Sequence, residues 1–212
     1  MSLFSLMFNG VGLLFPLLVT LLTQPRLLDE WSNSYALQVW TRVTPQSYFL
    51  SKALGAASVA SGVFFALTAV SFGLARLTYT DNGYQVPLAG AIEFRFPLSQ
   101  LWGVSPALYI VAYCVWVALV AGAVAILSTL LTAVTSNKFV ALAAPFILWT
   151  GVNFALAVLR LEAFSLPPFR FQITQQPVWT EVVGLCGIVL AIMMLYRFVH
   201  GQRYQTAGIV RS

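Results

Sequence analysis

Few residues in this 212-residue chain are of types that carry out covalent chemistry. The only histidine is His200, which stands near Arg197 and Arg203. Cys114 and Cys186 each lie inside an apolar run, where a thiol packs as a small hydrophobic group; a disulfide or redox pair is the alternative. The motifs GxxxxGK[ST], HExxH, GxSxG and CxxC are all absent. The sequence therefore predicts no catalytic, cofactor-binding or metal-ligating residues and no enzyme activity of its own.

The composition explains why residues that could carry out chemistry are few. The chain is 59% hydrophobic and 8% charged, with a mean hydropathy of +0.85, whereas soluble domains carry about 25% charged residues. So few polar side chains could not cover a water-soluble core. We therefore expect a polytopic membrane protein, built as an all-α transmembrane helix bundle in a single domain, residues 1–212.

Apolar runs long enough to cross a bilayer predict five spans, because each approaches the ~20 residues that a crossing requires. The second and third are longer, which favours tilt or extension beyond the bilayer. The predicted spans cover about 3–22, 50–77, 107–134, 139–159 and 180–199.

The distribution of basic residues predicts the orientation. With the 23–49 segment in the cytoplasm, that side holds Arg26, Arg42, Lys52, Lys138, Arg197, Arg203 and Arg211. The other side holds Arg76, Arg95, Arg160 and Arg170. The excess indicates a cytoplasmic C-terminus in a plasma or inner membrane, and the net charge of +5 indicates topology rather than nucleic-acid binding. Met1 would then lie outside, so either the N-terminus crosses the membrane or a further span precedes this chain.

Two longer connections lie on the predicted outer side. Residues 78–106 contain an Asp-Asn-Gly turn signal, and about 161–178 are apolar but broken by Pro167, Pro168 and Pro177. The second connection is too interrupted to cross the membrane, which favours a re-entrant or surface-lying element.

Small residues four apart open the second predicted span. Ala57 and Ser61 share one helix face, and Ser58 and Gly62 share another, so Ala57, Ser61 and Gly62 predict close approach to a second helix. Packing within one subunit and packing between subunits both fit this pattern.

Thr150 and Asn153 are the most polar residues that we place mid-membrane, in the fourth span. They either form hydrogen bonds between helices or line a pathway.

Residues 27–43 predict an amphipathic cytoplasmic helix. Leu28, Trp31, Tyr35 and Val39 fall on one face, which can lie on lipid or on the bundle. The opposite face holds Leu37 and Trp40 among polar groups, and Thr44-Pro45 ends the helix and can start the next one. A docking surface and a simple interfacial anchor are both compatible with this pattern.

The sequence resembles the membrane subunits of type-2 ABC exporters. The resemblance is carried by a span, then a cytoplasmic helix with the acid Glu30, then "RVTPQSYFLSK" (Arg42 to Lys52) leading into a long span. The stretch "LSTLLTAVTSNKFVALAAPFILW" and the proline-broken connection before the last span are similar to the same family. The family usually has six spans and often a glycine after the acid, where this chain has five predicted spans and Ser32-Asn33.

The resemblance implies a permease subunit that pairs with a second permease subunit, identical or paralogous, and with cytoplasmic ABC ATPase subunits that bind ATP and Mg. The 27–43 helix would contact the ATPase through Asp29, Glu30, Asn33, Leu37, Trp40 and Arg42. An anchoring subunit of a membrane complex and a membrane enzyme that acts on lipids are the alternatives.

Overall fold

The computed structural model describes residues 3–32, 45–78, 105–134, 137–161, 164 and 178–209, and these residues form five α-helices. The helices are α1 (Leu3–Ser32), α2 (Pro45–Thr78), α3 (Pro106–Val134), α4 (Lys138–Val158) and α5 (Val178–Ile209). The all-α prediction is confirmed for this part of the chain. The α2 helix begins at Pro45, where proline is favoured because the first helical N–H has no intrahelical acceptor.

The α3 helix lies at the centre and packs against each of the other four helices. Val117, Val120, Ala121, Val124 and Ala125 of α3 are almost entirely buried. Contacts of Ser61 with Ala118 and of Phe72 with Tyr113 show that α2 runs antiparallel to α3. In the core, Phe15 of α1 contacts Phe64 of α2 and Trp149 of α4, with ring centroids 4.9 Å and 6.2 Å apart.

The α1 helix differs from its predicted boundaries. A first span ending near 22 and a separate cytoplasmic helix from 27 to 43 were expected, but α1 is continuous from Leu3 to Ser32. It contains Pro25 within the predicted break. At 30 residues it is about 45 Å long, longer than the ~30 Å hydrocarbon core of a bilayer. Residues 33–43 of the predicted cytoplasmic helix lie outside the described residues.

Local interactions fix both ends of α4. At the start, the Asn137 side chain accepts a hydrogen bond from the backbone N–H of Phe139 at 2.9 Å, which satisfies one of the free donors of a first helical turn. At the other end Arg160 has a φ of 57°, and the N–H of Leu161 donates to the carbonyl of Leu156. Of the predicted re-entrant element, about 161–178, the structure describes only Leu161, Phe164 and Val178, the last of which begins α5.

Candidate functional site

Two polar clusters hold α1 against its neighbours. The first joins the end of α1 to the start of α2 and consists of Glu30, Tyr48 and Lys52, here called the Glu30 cluster. The Oε1 atom of Glu30 lies 2.6 Å from Nζ of Lys52, and Oε2 accepts a hydrogen bond of 2.8 Å from the Tyr48 hydroxyl. Nζ of Lys52 also lies 5.6 Å from the centre of the Tyr48 ring. The carboxylate of Glu30 therefore ties α1 to the first turns of α2.

Glu30 therefore makes contacts within the chain, in addition to the ATPase contact that the resemblance implies. We expected Glu30 to contact a partner ATPase, but its side chain is only 15% exposed and binds two groups of the same chain. The neighbouring Asp29 is exposed, and Leu28 is buried. The other predicted ATPase-contacting residues, Asn33, Leu37, Trp40 and Arg42, lie outside the described residues.

The second cluster lies between α1 and α3 and is fully buried. It is called the Gln24 cluster here, and its members are 0–1% exposed: Thr20, Gln24, Ser128, Thr129 and Thr132. Nε2 of Gln24 donates to Oγ1 of Thr129 at 3.2 Å, and Oε1 accepts from Oγ1 of Thr132 at 3.1 Å. The hydroxyls of Thr20 and Ser128 lie 3.2 Å apart. Such interhelical hydrogen bonds contribute about 0.6 kcal/mol each in a membrane.

Sequence reasoning did not identify the Gln24 cluster. The first predicted span ended near residue 22, which placed Gln24 in the cytoplasmic 23–49 segment rather than inside the bundle. A usable signal was present: Thr20 and Gln24, like Ser128 and Thr132, are four residues apart and therefore share one helix face. What the sequence could not supply was the pairing of α1 with α3.

The small-residue stripe packs within the chain. The hydroxyl of Ser61 donates to the carbonyl of Ala118 in α3 at 2.8 Å. A methyl group added at Gly122 would lie 2.6 Å from Oγ of Ser61 and 3.8 Å from Cβ of Ala57. Close approach of α2 to a second helix is therefore observed for Ala57 and Ser61, and that helix is α3. Gly62 lies on another face, with no atom within 4 Å of an added methyl group.

The predicted pathway residues lie along α4. Oγ1 of Thr150 is buried and has no hydrogen-bond partner among the described residues, and the same holds for Nε1 of Trp116 in α3. Asn153 is partly buried. The described residues therefore give Thr150 no hydrogen bond to another helix.

The distribution of polar and apolar side chains differs from that of a soluble protein. Some of the most buried side chains belong to the Gln24 cluster, whereas many large apolar side chains are exposed, including Leu67, Val70, Ile147 and Phe154. Among the residues that the structure describes, three helical segments are long and apolar enough to cross a membrane: Ser47–Leu74, Ala107–Thr132 and Lys138–Val158. Apolar exteriors on such helices are suited to lipid, and buried hydroxyls and amides to interhelical hydrogen bonding. This arrangement indicates a membrane protein.

Comparison with models of known protein families, with curated proteins and with solved structures finds no match to this chain.

Proposed function

We propose that this chain is the membrane-spanning permease subunit of an ATP-binding-cassette exporter, with its C-terminus in the cytoplasm. A second permease subunit completes the translocation path, and separate ATPase subunits bind and hydrolyse ATP. The sequence resemblance suggests this class. The observation that supports it most is the Glu30 cluster, because it connects the two helix ends that flank residues 33–44.

The mechanical role follows from that connection. A displacement applied to residues 33–44 reaches the end of α1 directly through the chain. The ion pair of Glu30 with Lys52 and the hydrogen bond from Tyr48 make α2 move with it. Because α2 packs along α3, which contacts the remaining helices, the displacement then spreads through the bundle. The exposed apolar helix faces suit a bilayer, in which this bundle would operate.

The ATPase contact itself is assigned to Asp29 and to residues beyond Ser32. Trp40 and Leu37 are the apolar anchors of this surface, and Asp29, Asn33 and Arg42 surround them. Tryptophan is enriched among the few residues that dominate binding energies, and truncation of a central one costs ~2 kcal/mol or more. A loss of that size weakens binding by about thirtyfold.

The test compares two tryptophan substitutions in the full chain, purified from membranes in mild detergent. The unsubstituted chain is expected to bring down a soluble ATP-hydrolysing subunit in about equal amount. Trp40→Ala should weaken this association or uncouple hydrolysis from substrate. Trp31→Ala, predicted on the face toward lipid or the bundle, should lower the yield of folded protein and spare the association.

The two variants remove the same side chain from opposite predicted faces, so nonspecific loss of bulk would affect them alike. If no ATP-hydrolysing subunit associates with the chain, the proposed function is wrong. If the subunit associates and Trp40→Ala couples normally, the class stands but the contact surface is misassigned.

A further inference from the structure

The hydroxyl of Thr132 lies within reach of two acceptors but has only one proton to donate. Its Oγ1 atom lies 2.8 Å from the carbonyl oxygen of Ser128 in its own helix and 3.1 Å from Oε1 of Gln24 in α1. A carbonyl inside an α-helix also accepts the backbone N–H four residues later, so the carbonyl of Ser128 does not need the hydroxyl proton. Oε1 of Gln24 has no other donor in the part of the chain that the structure describes. The proton therefore stabilises the cluster most when it is donated to Gln24.

The orientation of the Gln24 amide supports this assignment. Nε2 of Gln24 has two protons and lies 3.2 Å from Oγ1 of Thr23 and 3.2 Å from Oγ1 of Thr129. In this orientation both amide protons and the amide oxygen have partners. The reversed orientation would place Nε2 beside Thr132 alone, and one amide N–H would then lack an acceptor among the described residues. Gln24 is therefore bound by an acceptor and a donor of α3, and the donor is Thr132.

The contact of Gln24 with α3 completes a set of polar contacts among the first three helices. Glu30 joins α1 to α2 through its ion pair with Lys52. The hydroxyl of Ser61 joins α2 to α3 by donating to the carbonyl of Ala118. Gln24 joins the remaining pair, α1 and α3. Because the three helices are joined in pairs, none of them can shift alone without breaking two of these contacts.

We propose that Thr132 is the positioning residue of α1: it holds Gln24, fixes the last turns of α1 to α3, and so makes α1, α2 and α3 one rigid unit. The unit has the arrangement observed in the structure, in which the ring contacts of Phe15 and the ion pair of Glu30 are all kept. It consists of contacts within the chain, so it forms whether or not an ATPase binds.

Thr129 offers a matched comparison within the same cluster. Both threonines are 0–1% exposed, and each hydroxyl bonds to a carbonyl four residues earlier. Thr132→Val leaves Oε1 of Gln24 without a donor among the described residues, whereas Thr129→Val leaves Nε2 its contact with Thr23. Replacing Thr132 should therefore loosen α1 more than replacing Thr129, although the two substitutions remove the same hydroxyl group.

Spin labels on introduced cysteines test the rigid unit in membranes, in a full chain that carries Cys114→Ala and Cys186→Ala. One pair of labels joins α1 to α3, at Leu22→Cys and Leu119→Cys. A second pair joins α2 to α3, at Leu54→Cys and Leu119→Cys. All three leucines are exposed, so the labels do not disturb the core. Electron spin resonance should give a narrow distance distribution for both pairs.

Thr132→Val should about double the width of the α1–α3 distribution and leave the α2–α3 distribution unchanged. Thr132→Ser keeps the hydroxyl and should keep the narrow distribution, and Thr129→Val should broaden it much less. If Thr132→Val lowers the yield of folded protein too far for labelling, the yields decide, because Thr132→Ser and Thr129→Val should then still fold. Equal effects of Thr132→Val and Thr129→Val would overturn the proposal. An unchanged α1–α3 distribution in Thr132→Val, or equal broadening of both pairs, would overturn it as well.

Discussion

The carboxylate of Glu30 lies 2.6 Å from the ammonium group of Lys52, across the gap between the end of α1 and the start of α2. The same carboxylate accepts the hydroxyl of Tyr48. Residues 33–44 separate α1 from α2 in the chain. Side-chain contacts thus join the end of α1 directly to the start of α2.

A double-mutant cycle measures the coupling energy between Glu30 and Lys52. Glu30→Gln and Lys52→Met should each lower the thermal stability of the detergent-solubilised protein, followed by circular dichroism. Because Lys52 is 34% exposed, we expect a coupling energy of about 1 kcal/mol rather than the larger value of a buried pair. If the stability losses of the two single variants simply add up in the double variant, the Glu30–Lys52 contact does not stabilise the protein.

Because Ser61 lies against Gly122, Ser61→Ala should remove the destabilising effect of Gly122→Ala. In the unsubstituted chain, Gly122→Ala forces the Ser61 hydroxyl to rotate away from the Ala118 carbonyl, which should cost about 1–3 kcal/mol of packing and hydrogen bonding. In a Ser61→Ala chain the nearest remaining atom is the Ala57 carbonyl oxygen at 3.6 Å, an ordinary contact. Gly122→Ala should therefore be tolerated there. Gly62→Ala meets open space, and its effect on stability should be the same in both backgrounds.

The start of α4 depends on a side-chain cap. Asn137→Ala removes the acceptor for the N–H of Phe139 and should lower the free energy of unfolding by about 1 kcal/mol. Asn137→Asp keeps an oxygen in the same place, next to the positive end of the helix dipole, and should retain most of the stability. Denaturation of both variants in the same detergent checks this. An aspartate variant as unstable as the alanine variant would exclude capping as the cause.

The orientation can be tested at described, exposed positions. In a chain without Cys114 and Cys186, a cysteine at Arg160 or Leu161 should react with a membrane-impermeant thiol reagent added to intact cells. A cysteine at Asp29 or Lys138 should react only after the cells are opened. The basis is the excess of basic residues on the side that holds Arg26 and Arg42. Labelling of Asp29→Cys in intact cells would show that the chain has the opposite orientation.

The long apolar runs allowed the helical class to be predicted, because a run of that length and composition suits a membrane-crossing helix. The end of α1 was not predictable in the same way. Polar residues such as Thr23 and Gln24 suggest a loop when no partner is known, but in the fold Gln24 is completely buried against Thr129 and Thr132. The pairing of Glu30 with Lys52 was missed for the same reason, since sequence alone does not tell whether a charged residue meets water, a partner or its own chain.

The hydroxyls of α3 that bond to carbonyls of their own helix have a consequence for biosynthesis. The acceptors of Ser128, Thr129 and Thr132 are carbonyl oxygens of α3 itself. These hydroxyls therefore stay hydrogen-bonded when α3 enters lipid as a single helix, before any neighbour has packed against it. Among the described residues, the amide oxygen of Gln24 accepts a hydrogen bond only from Thr132, so α1 gains this hydrogen bond only when α3 is present. Because α1 precedes α3 in the chain and emerges from the ribosome before it, the hydrogen bond of Gln24 can form only after α3 has been synthesised.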